Sequence, residues 1–317
     1  MPLLSSETLK IQSNVPLSQF TTFRLGGPCR GLIQCQASSQ LKDVVQYFTQ
    51  EQLPFIVIGG GSNLVVSDKG LDCYVIRYMS DIPSIEIVGT DIVVSGSTNL
   101  DTLALFAAEH GLEGINYTSG IPGTVGGAVV GNAGAFGKQI GDVLKAATLL
   151  TKTGIEREVG PKDLGFTYRH SKLKETGDLV LTVRLGLKQG HRNTLLKERE
   201  EILKIRHEKH PDLKKEPCAG SFFRNIEPTS KAGKRRATGW FLEEAGGKNL
   251  SHGGAKIFSK HANIIVNGKN CTAQDVFELH KKMAAVVKKK FGLELVREVL
   301  FVGEFNGMPD EIKTTLW

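Results

Sequence analysis

Ser119-Gly-Ile-Pro-Gly-Thr-Val-Gly-Gly-Ala-Val-Val-Gly-Asn-Ala-Gly-Ala-Phe-Gly137 holds seven glycines in nineteen residues and no charged side chain. Glycine loses more backbone entropy on folding than any other residue and packs nothing, so this density fits a main chain that must take positive φ or approach a ligand closely. Amides unshielded by bulky side chains form a set of N–H donors able to hold a diphosphate without a basic residue. A shorter loop of the same character, Gly59-Gly-Gly-Ser-Asn63, follows the apolar run Pro54-Phe-Ile-Val-Ile58. Two such loops predict a large nucleotide cofactor. The alternative is a set of tight turns, which seldom need so many glycines together.

Neither loop fits the common nucleotide fingerprints. Gly59-x-Gly61 lacks a third glycine, because position 64 is Leu, and no Gly-Lys-Ser/Thr occurs anywhere, so a Rossmann domain and a P-loop are both disfavoured. Around the loops, strand-like runs alternate with amphipathic helices. Leu41, Val44, Val45 and Phe48 form a helical stripe that Ser38 or Ser39 can cap, and short β-like runs near 73–78, 84–88 and 91–96 precede a helix from Asn99 to His110. Strands are predicted at 146–151, 155–159 and 178–187, a charged helix near 194–209, and a domain boundary between Pro211 and Pro217. Thr272 with Asp275 reads as a capping box for a helix ending at Gly292, flanked by strands near 262–267 and 296–302. The grammar is α/β or α+β.

At 317 residues the chain has room for two or three domains. Its first residues lack a signal-peptide pattern, and no apolar run reaches the roughly 18 residues of a membrane span, so a cytoplasmic, non-membrane protein is expected. Five scattered cysteines with no Cys-x-x-Cys pair argue against a disulfide framework and a zinc site, and no metal is expected. The net charge of +7 resides in residues 188–236, with fourteen Lys/Arg against seven Asp/Glu, while the rest balances at 26 and 26. That segment implies an anionic partner, either a phosphorylated small molecule or nucleic acid. Nucleic acid is the weaker reading, because the charges of Leu195–Arg206 alternate as on a solvated helix face and no aromatics are interleaved for stacking.

Ser221, in Ala219-Gly-Ser-Phe-Phe-Arg224-Asn225, is no hydrolase nucleophile, for the Gly-x-Ser-x-Gly elbow is absent. Glu298 sits in the apolar run Leu295-Val-Arg-Glu-Val-Leu-Phe-Val302. Either it lies on an exposed face or its burial is kept for a task.

Together these segments resemble the UDP-N-acetylenolpyruvoylglucosamine reductase family of flavoenzymes, which acts in peptidoglycan precursor synthesis. The motifs run in the family's order: Thr21-Thr-Phe-Arg-Leu-Gly-Gly27, Gly59 to Asn63, Ser119 to Gly137, Tyr168-Arg-His-Ser171, Arg206-x-x-Lys209-His-Pro211, Ala219 to Asn225, Gly253-Gly-Ala255, His261-Ala-Asn263 and Leu295 to Gly303. The resemblance implies an α+β fold: a two-lobed FAD-binding domain of the vanillyl-alcohol-oxidase type at 17–188, with lobes near 17–78 and 79–188, then a substrate domain at 206–300 whose final strand, 295–303, returns to the flavin.

The implied activity passes hydride from NADPH to non-covalent FAD and on to the enolpyruvyl ether of a UDP-sugar, with no obligatory protein partner. Implied cofactor-binding residues are Gly59, Gly60, Gly61, Ser62, Asn63, Ser119, Gly120, Pro122, Gly123, Gly126, Gly127, Ala128, Asn132, Gly134 and Ala135. Ser221 is the implied proton donor, Arg169 the carboxylate clamp and Glu298 a second acid. Tyr168, Lys209, Arg224, Asn225 and His261 are implied substrate contacts. Arg224 stands where the family commonly has Lys, and Phe136 where Tyr is frequent. Only Ser171–Gly177 follows Tyr168-Arg169, as in the branch without an extra substrate-covering loop.

Overall fold

The computed structural model of the chain describes residues 10–226 and 236–308. Strand Cys29–Cys35, helix Ser38–Gln50 and strand Phe55–Ile58 begin the fold. The helix buries its predicted stripe against Ile33, Ile76 and Leu181. Both strands pair in parallel with Leu71–Tyr78, and Gln12–Ser13 adds an antiparallel edge. The cap differs from expectation: the helix begins at Ser38 itself, and Gln40 Oε1 accepts from the Gln36 and Ala37 amides. The Ser38 hydroxyl bonds Tyr78 Oη at 2.8 Å and Leu181 O at 3.2 Å instead. Tertiary partners have taken the capping group.

A second sheet is antiparallel throughout, in the order Glu156–Val159, Leu144–Leu150, Leu179–Gly186, Asp91–Ser95, Ile85–Val88. Helix Leu100–Glu109, capped by Asn99, packs in its core. So does the middle of the long glycine stretch, which is not a loop throughout: Thr124 caps a short helix, Val125–Val130. A Cβ added to Gly126 would lie 3.1 Å from Gly96 O, so a side chain there would push this helix a few tenths of an ångström from the strand end.

Helix Arg192–Lys209 then crosses toward the third unit. Its charges are not all solvated, as the alternating pattern implied. Arg199 is buried and donates to both carboxylate oxygens of Asp101, at 2.6 and 2.9 Å, because the helix lies against Leu100–Glu109. Of the basic segment, Lys231, Lys234 and Arg235 lie outside the described residues.

The third sheet runs Cys218–Ser221, His261–Asn267, Ala255–Phe258, Ser251–His252, all antiparallel. Helix Ala273–Phe291 covers it with the predicted capping box, Thr272 Oγ1 accepting from Asp275 N–H and Asp275 Oδ2 accepting from Thr272 N–H, both at 3.0 Å. Its core of Phe222, Phe223, Phe277, Met283 and Phe301 also takes in Phe23 and Val65 from the first unit. The final strand is shorter than the run suggested. Only Leu300–Val302 is a strand, parallel to Leu64–Val66. Before it, Val296 O accepts from Arg224 N–H at 2.8 Å and Glu298 N–H donates to Phe222 O at 2.9 Å, so this stretch runs beside Ser221–Arg224.

All five cysteines are free thiols. No helix of the described residues is long and apolar enough to cross a membrane, and no group of three metal-ligating side chains occurs among them.

Candidate active site

The two glycine-rich segments touch. Ser62 Oγ donates to Pro122 O at 3.0 Å, a Cβ on Gly59 would meet Thr124 Oγ1 at 2.5 Å, and one on Gly60 would meet Gly123 Cα at 3.0 Å. Gly61 takes φ +60°, and a Cβ there would sit 2.1 Å from Phe20 O. The amides of Gly59, Gly60, Gly61, Ser62, Asn63, Gly123 and Thr124 donate to no described residue. Main-chain donors rarely stay unpaired inside a fold. Seven of them on two touching, side-chain-poor segments fit a large anionic group such as the diphosphate of a dinucleotide.

Other residues of the expected cofactor set are used internally. Ser119 is fully buried and its hydroxyl donates to Asn116 O at 2.7 Å. The Asn132 amide donates to Gln139 Oε1 and Thr167 O while its oxygen accepts from Gly141 N–H. The Gly120 amide donates to Asp101 Oδ1 at 2.7 Å, and Gly134 and Ala135 pair with Gln139 and Lys138 in a hairpin. Gly126, Gly127 and Ala128 belong to the short helix. These residues shape the loop rather than supply free side-chain donors.

The second half of the site is built on side chains. Thr167 and His170 exchange backbone hydrogen bonds at 3.0 and 3.1 Å, which leaves Arg169 between them at φ +57°. That region costs a non-glycine residue about 1 kcal/mol. The guanidinium is held from two sides: Nη1 donates to Gly134 O at 2.7 Å, and Nε lies 2.9 Å from Glu298 Oε1. One cation thereby joins the glycine stretch, the 167–170 turn and the approach to the last strand. Tyr168 lies beneath it, ring centroid 5.4 Å away, and its hydroxyl accepts from Asn225 N–H at 3.3 Å. Burial pushes the Glu298 carboxyl above its usual range, while the charges of Arg169, Lys174 and Arg224 pull it back. The Glu298 side chain is only 20% exposed, so it does not lie on an open face.

Ser221 closes the strand Cys218–Ser221, one residue before the carbonyl that binds Glu298 N–H. The ladder slips between Cys218 and Ser221, with Gly220 at φ +76°, a bulge of the kind that re-aims a side chain. Its hydroxyl has no hydrogen-bond partner among the described residues. Buried Asn263 clamps the segment, its oxygen accepting from Phe223 N–H at 3.0 Å and its amide donating to Phe223 O at 2.7 Å.

Lys209 ends helix Arg192–Lys209, and its neighbour His210 lies near His261. Lys209 is exposed, and the rings of His210 and His261 lie 5.9 Å apart. Burial lowers both imidazoles, His210 to about 4, so they are neutral at neutral pH. Arg224 binds Val296 through its amide and faces Glu298 electrostatically, and Asn225 Oδ1 accepts from Thr238 N–H at 3.2 Å. Sequence reasoning missed Asn263 as a clamp, although it lies within the His261-Ala-Asn263 motif. It also missed Lys174, whose local sequence carries no signal beyond following the Arg169 turn.

Residues 211–302 match the family described as UDP-N-acetylenolpyruvoylglucosamine reductase, C-terminal domain, and residues 29–160 match an FAD binding domain. The chain is 37% identical over 296 residues to the UDP-N-acetylenolpyruvoylglucosamine reductase of Caldanaerobacter subterraneus subsp. tengcongensis, covering 93% of this chain and 94% of that one. It is 34% identical over 305 residues to the enzyme of that name from Bacillus pumilus, covering 96% and 98%. The crystal structure of UDP-N-acetylenolpyruvylglucosamine reductase from Thermus caldophilus superposes with a TM-score of 0.76 at 31% identity, over 92% of this chain and 99% of that one. A shared fold, a free-amide cradle and near full-length similarity agree, and the chain belongs to the UDP-N-acetylenolpyruvoylglucosamine reductase family.

Proposed function

We propose that this chain reduces the enolpyruvyl ether of UDP-N-acetylglucosamine to UDP-N-acetylmuramate, a step of peptidoglycan precursor synthesis, with FAD as resident cofactor and NADPH as reductant. The observation that carries the reading is the meeting of Arg169 and Glu298 where the glycine stretch and the Ser221 segment converge. FAD, when bound, supplies the hydride chemistry between NADPH and the enolpyruvyl carbon. The free amides of 59–63 and 123–124 hold its diphosphate, with residues 17–188 as cofactor domain and 206–300 as substrate domain.

Reduction of the alkene leaves negative charge on the carbon next to the carboxylate. Arg169 takes that carboxylate through its planar fork. Glu298, whose pKa burial raises, acts here in its protonated form and shares that proton with the developing charge. The Ser221 hydroxyl, without a hydrogen-bond partner among the described residues, delivers its proton to the carbanionic carbon from one face and so fixes the stereochemistry. Tyr168, Lys209, Arg224, Asn225 and His261 contact the UDP-sugar, and Lys209 offers its charge to the phosphates of substrate or NADPH. A visible absorption spectrum tests this directly. The purified protein is expected to show flavin bands that bleach with NADPH and return on anaerobic addition of the enolpyruvyl UDP-sugar. Bands that return only with oxygen refute the substrate.

A further inference from the structure

A lysine lies under the Arg169 turn with its ammonium turned inward. Lys174, in the one-turn helix Leu173–Thr176, donates from Nζ to the Arg169 carbonyl oxygen at 2.8 Å. Arg169 is thus gripped at three points: its carbonyl by Lys174, Nη1 by Gly134 O at 2.7 Å, and Nε by Glu298 at 2.9 Å. Two of the grips fix the side chain. Lys174 acts on the peptide that follows the left-handed φ of +57°, holding its carbonyl while the His170 N–H of the same peptide donates to Thr167 O at 3.1 Å, and such a conformation must be over-determined by its surroundings to persist.

The chemistry of the position is unusual. Burial lowers the Lys174 pKa, the Arg224 charge lowers it further, Glu298 raises it, and Arg169 lowers it again. A partly buried ammonium facing two guanidinium groups is costly, and a methionine of similar length would fill the space without that cost. Its compensations are the Arg169 carbonyl and the Glu298 carboxyl.

We infer that Lys174 is a positioning residue for the Arg169–Glu298 pair: it locks the Arg169 turn through the carbonyl and, with Arg169 and Arg224, sets the charge state of Glu298. The inference rests on the proposed reductase reading. Lys174 touches no reacting atom. Its effect falls on the half-reaction in which the enolpyruvyl sugar reoxidises the enzyme and not on reduction by NADPH.

Three variants separate its two duties. Lys174→Gln keeps a donor without the charge, Lys174→Arg keeps the charge in another shape, and Lys174→Met removes both. Each is made as the full FAD-loaded enzyme, with thermal midpoint and flavin content measured first. Stopped-flow rates are then followed for reduction by NADPH and for anaerobic reoxidation by the enolpyruvyl UDP-sugar across pH.

In Lys174→Met, reoxidation is expected to slow about 10²-fold, the loss typical of a misplaced clamp, with NADPH reduction within twofold of wild type. Glu298 serves in its protonated form, so activity falls as pH rises through its pKa. Removing a cation that lowers this pKa moves the alkaline limb of the reoxidation profile to higher pH in Lys174→Gln and Lys174→Met, and Lys174→Arg returns it toward wild type. Unchanged reoxidation rates and limbs in Lys174→Gln and Lys174→Met would overturn the inference. Equal slowing of both half-reactions with no recovery in Lys174→Arg would do so too, since that is the mark of a merely structural lysine. Wild-type enzyme that the UDP-sugar fails to reoxidise sinks the reductase reading instead, so the two failures are distinct.

Discussion

In the proposed reaction the glycine-rich segments and the Arg169 cluster serve one task by opposite means. At Gly59–Asn63 and Gly123–Thr124 the working groups are peptide amides, and the sequence contributes mainly by omitting side chains. At Arg169, Lys174, Arg224 and Glu298 the working groups are charges on long side chains, and the backbone serves to aim them. A main-chain site has nothing to delete, so it is damaged by addition. A side-chain site is damaged by deletion, and it alone responds to pH.

The largest effect that tests this contrast is expected from Gly61→Val. A β-branched residue at φ +60° is strained by about 1–3 kcal/mol, and its Cβ would overlap Phe20 O, 2.1 Å away. Strain borne by the bound loop corresponds to roughly 5- to 150-fold in affinity, and with the overlap added Gly61→Val should purify largely without FAD. Ser62→Ala, which loses only the bond to Pro122 O, should keep it. A fully flavinated Gly61→Val would break the main-chain half of the comparison.

Ser221→Ala comes next, and it sharpens the other half. Flavin content and reduction by NADPH should stay near wild type, while reoxidation by the enolpyruvyl sugar slows about 10²- to 10⁴-fold, the usual worth of a positioned proton donor. Equal loss in both half-reactions would take Ser221 out of that role.

The smallest effect concerns acid stability. His280, packed against Phe222, Phe277 and Phe301, is held near pKa 4 by burial, against an ordinary 6.5, with Arg297 and Lys281 opposing its protonation and Glu278 favouring it. On acidification the unfolded chain binds this proton first. The contribution of a neutral His280 is therefore complete above about pH 6.5 and lost as pH falls toward 4. His210 behaves alike. The thermal midpoint should drop across that window and drop less steeply in His280→Leu. Parallel curves for the two proteins would remove His280 as a source of acid sensitivity.

Sequence by itself determined whatever rests on local periodicity or on missing side chains: the 41, 44, 45, 48 stripe, the Thr272–Asp275 box, the glycine segments and the family they signal. Those are properties of neighbouring residues, and distance along the chain is their distance in space. Only the tertiary structure decided which segments meet. Gly134, Arg169, Lys174 and Glu298 share one contact network across more than 160 positions of sequence, because Leu300–Val302 pairs with Leu64–Val66 and carries Glu298 to the turn. The Ser38 cap and the solvated reading of Arg199 gave way for the same reason. A polar group takes the best partner that folding brings to it, and that partner is often remote in the chain.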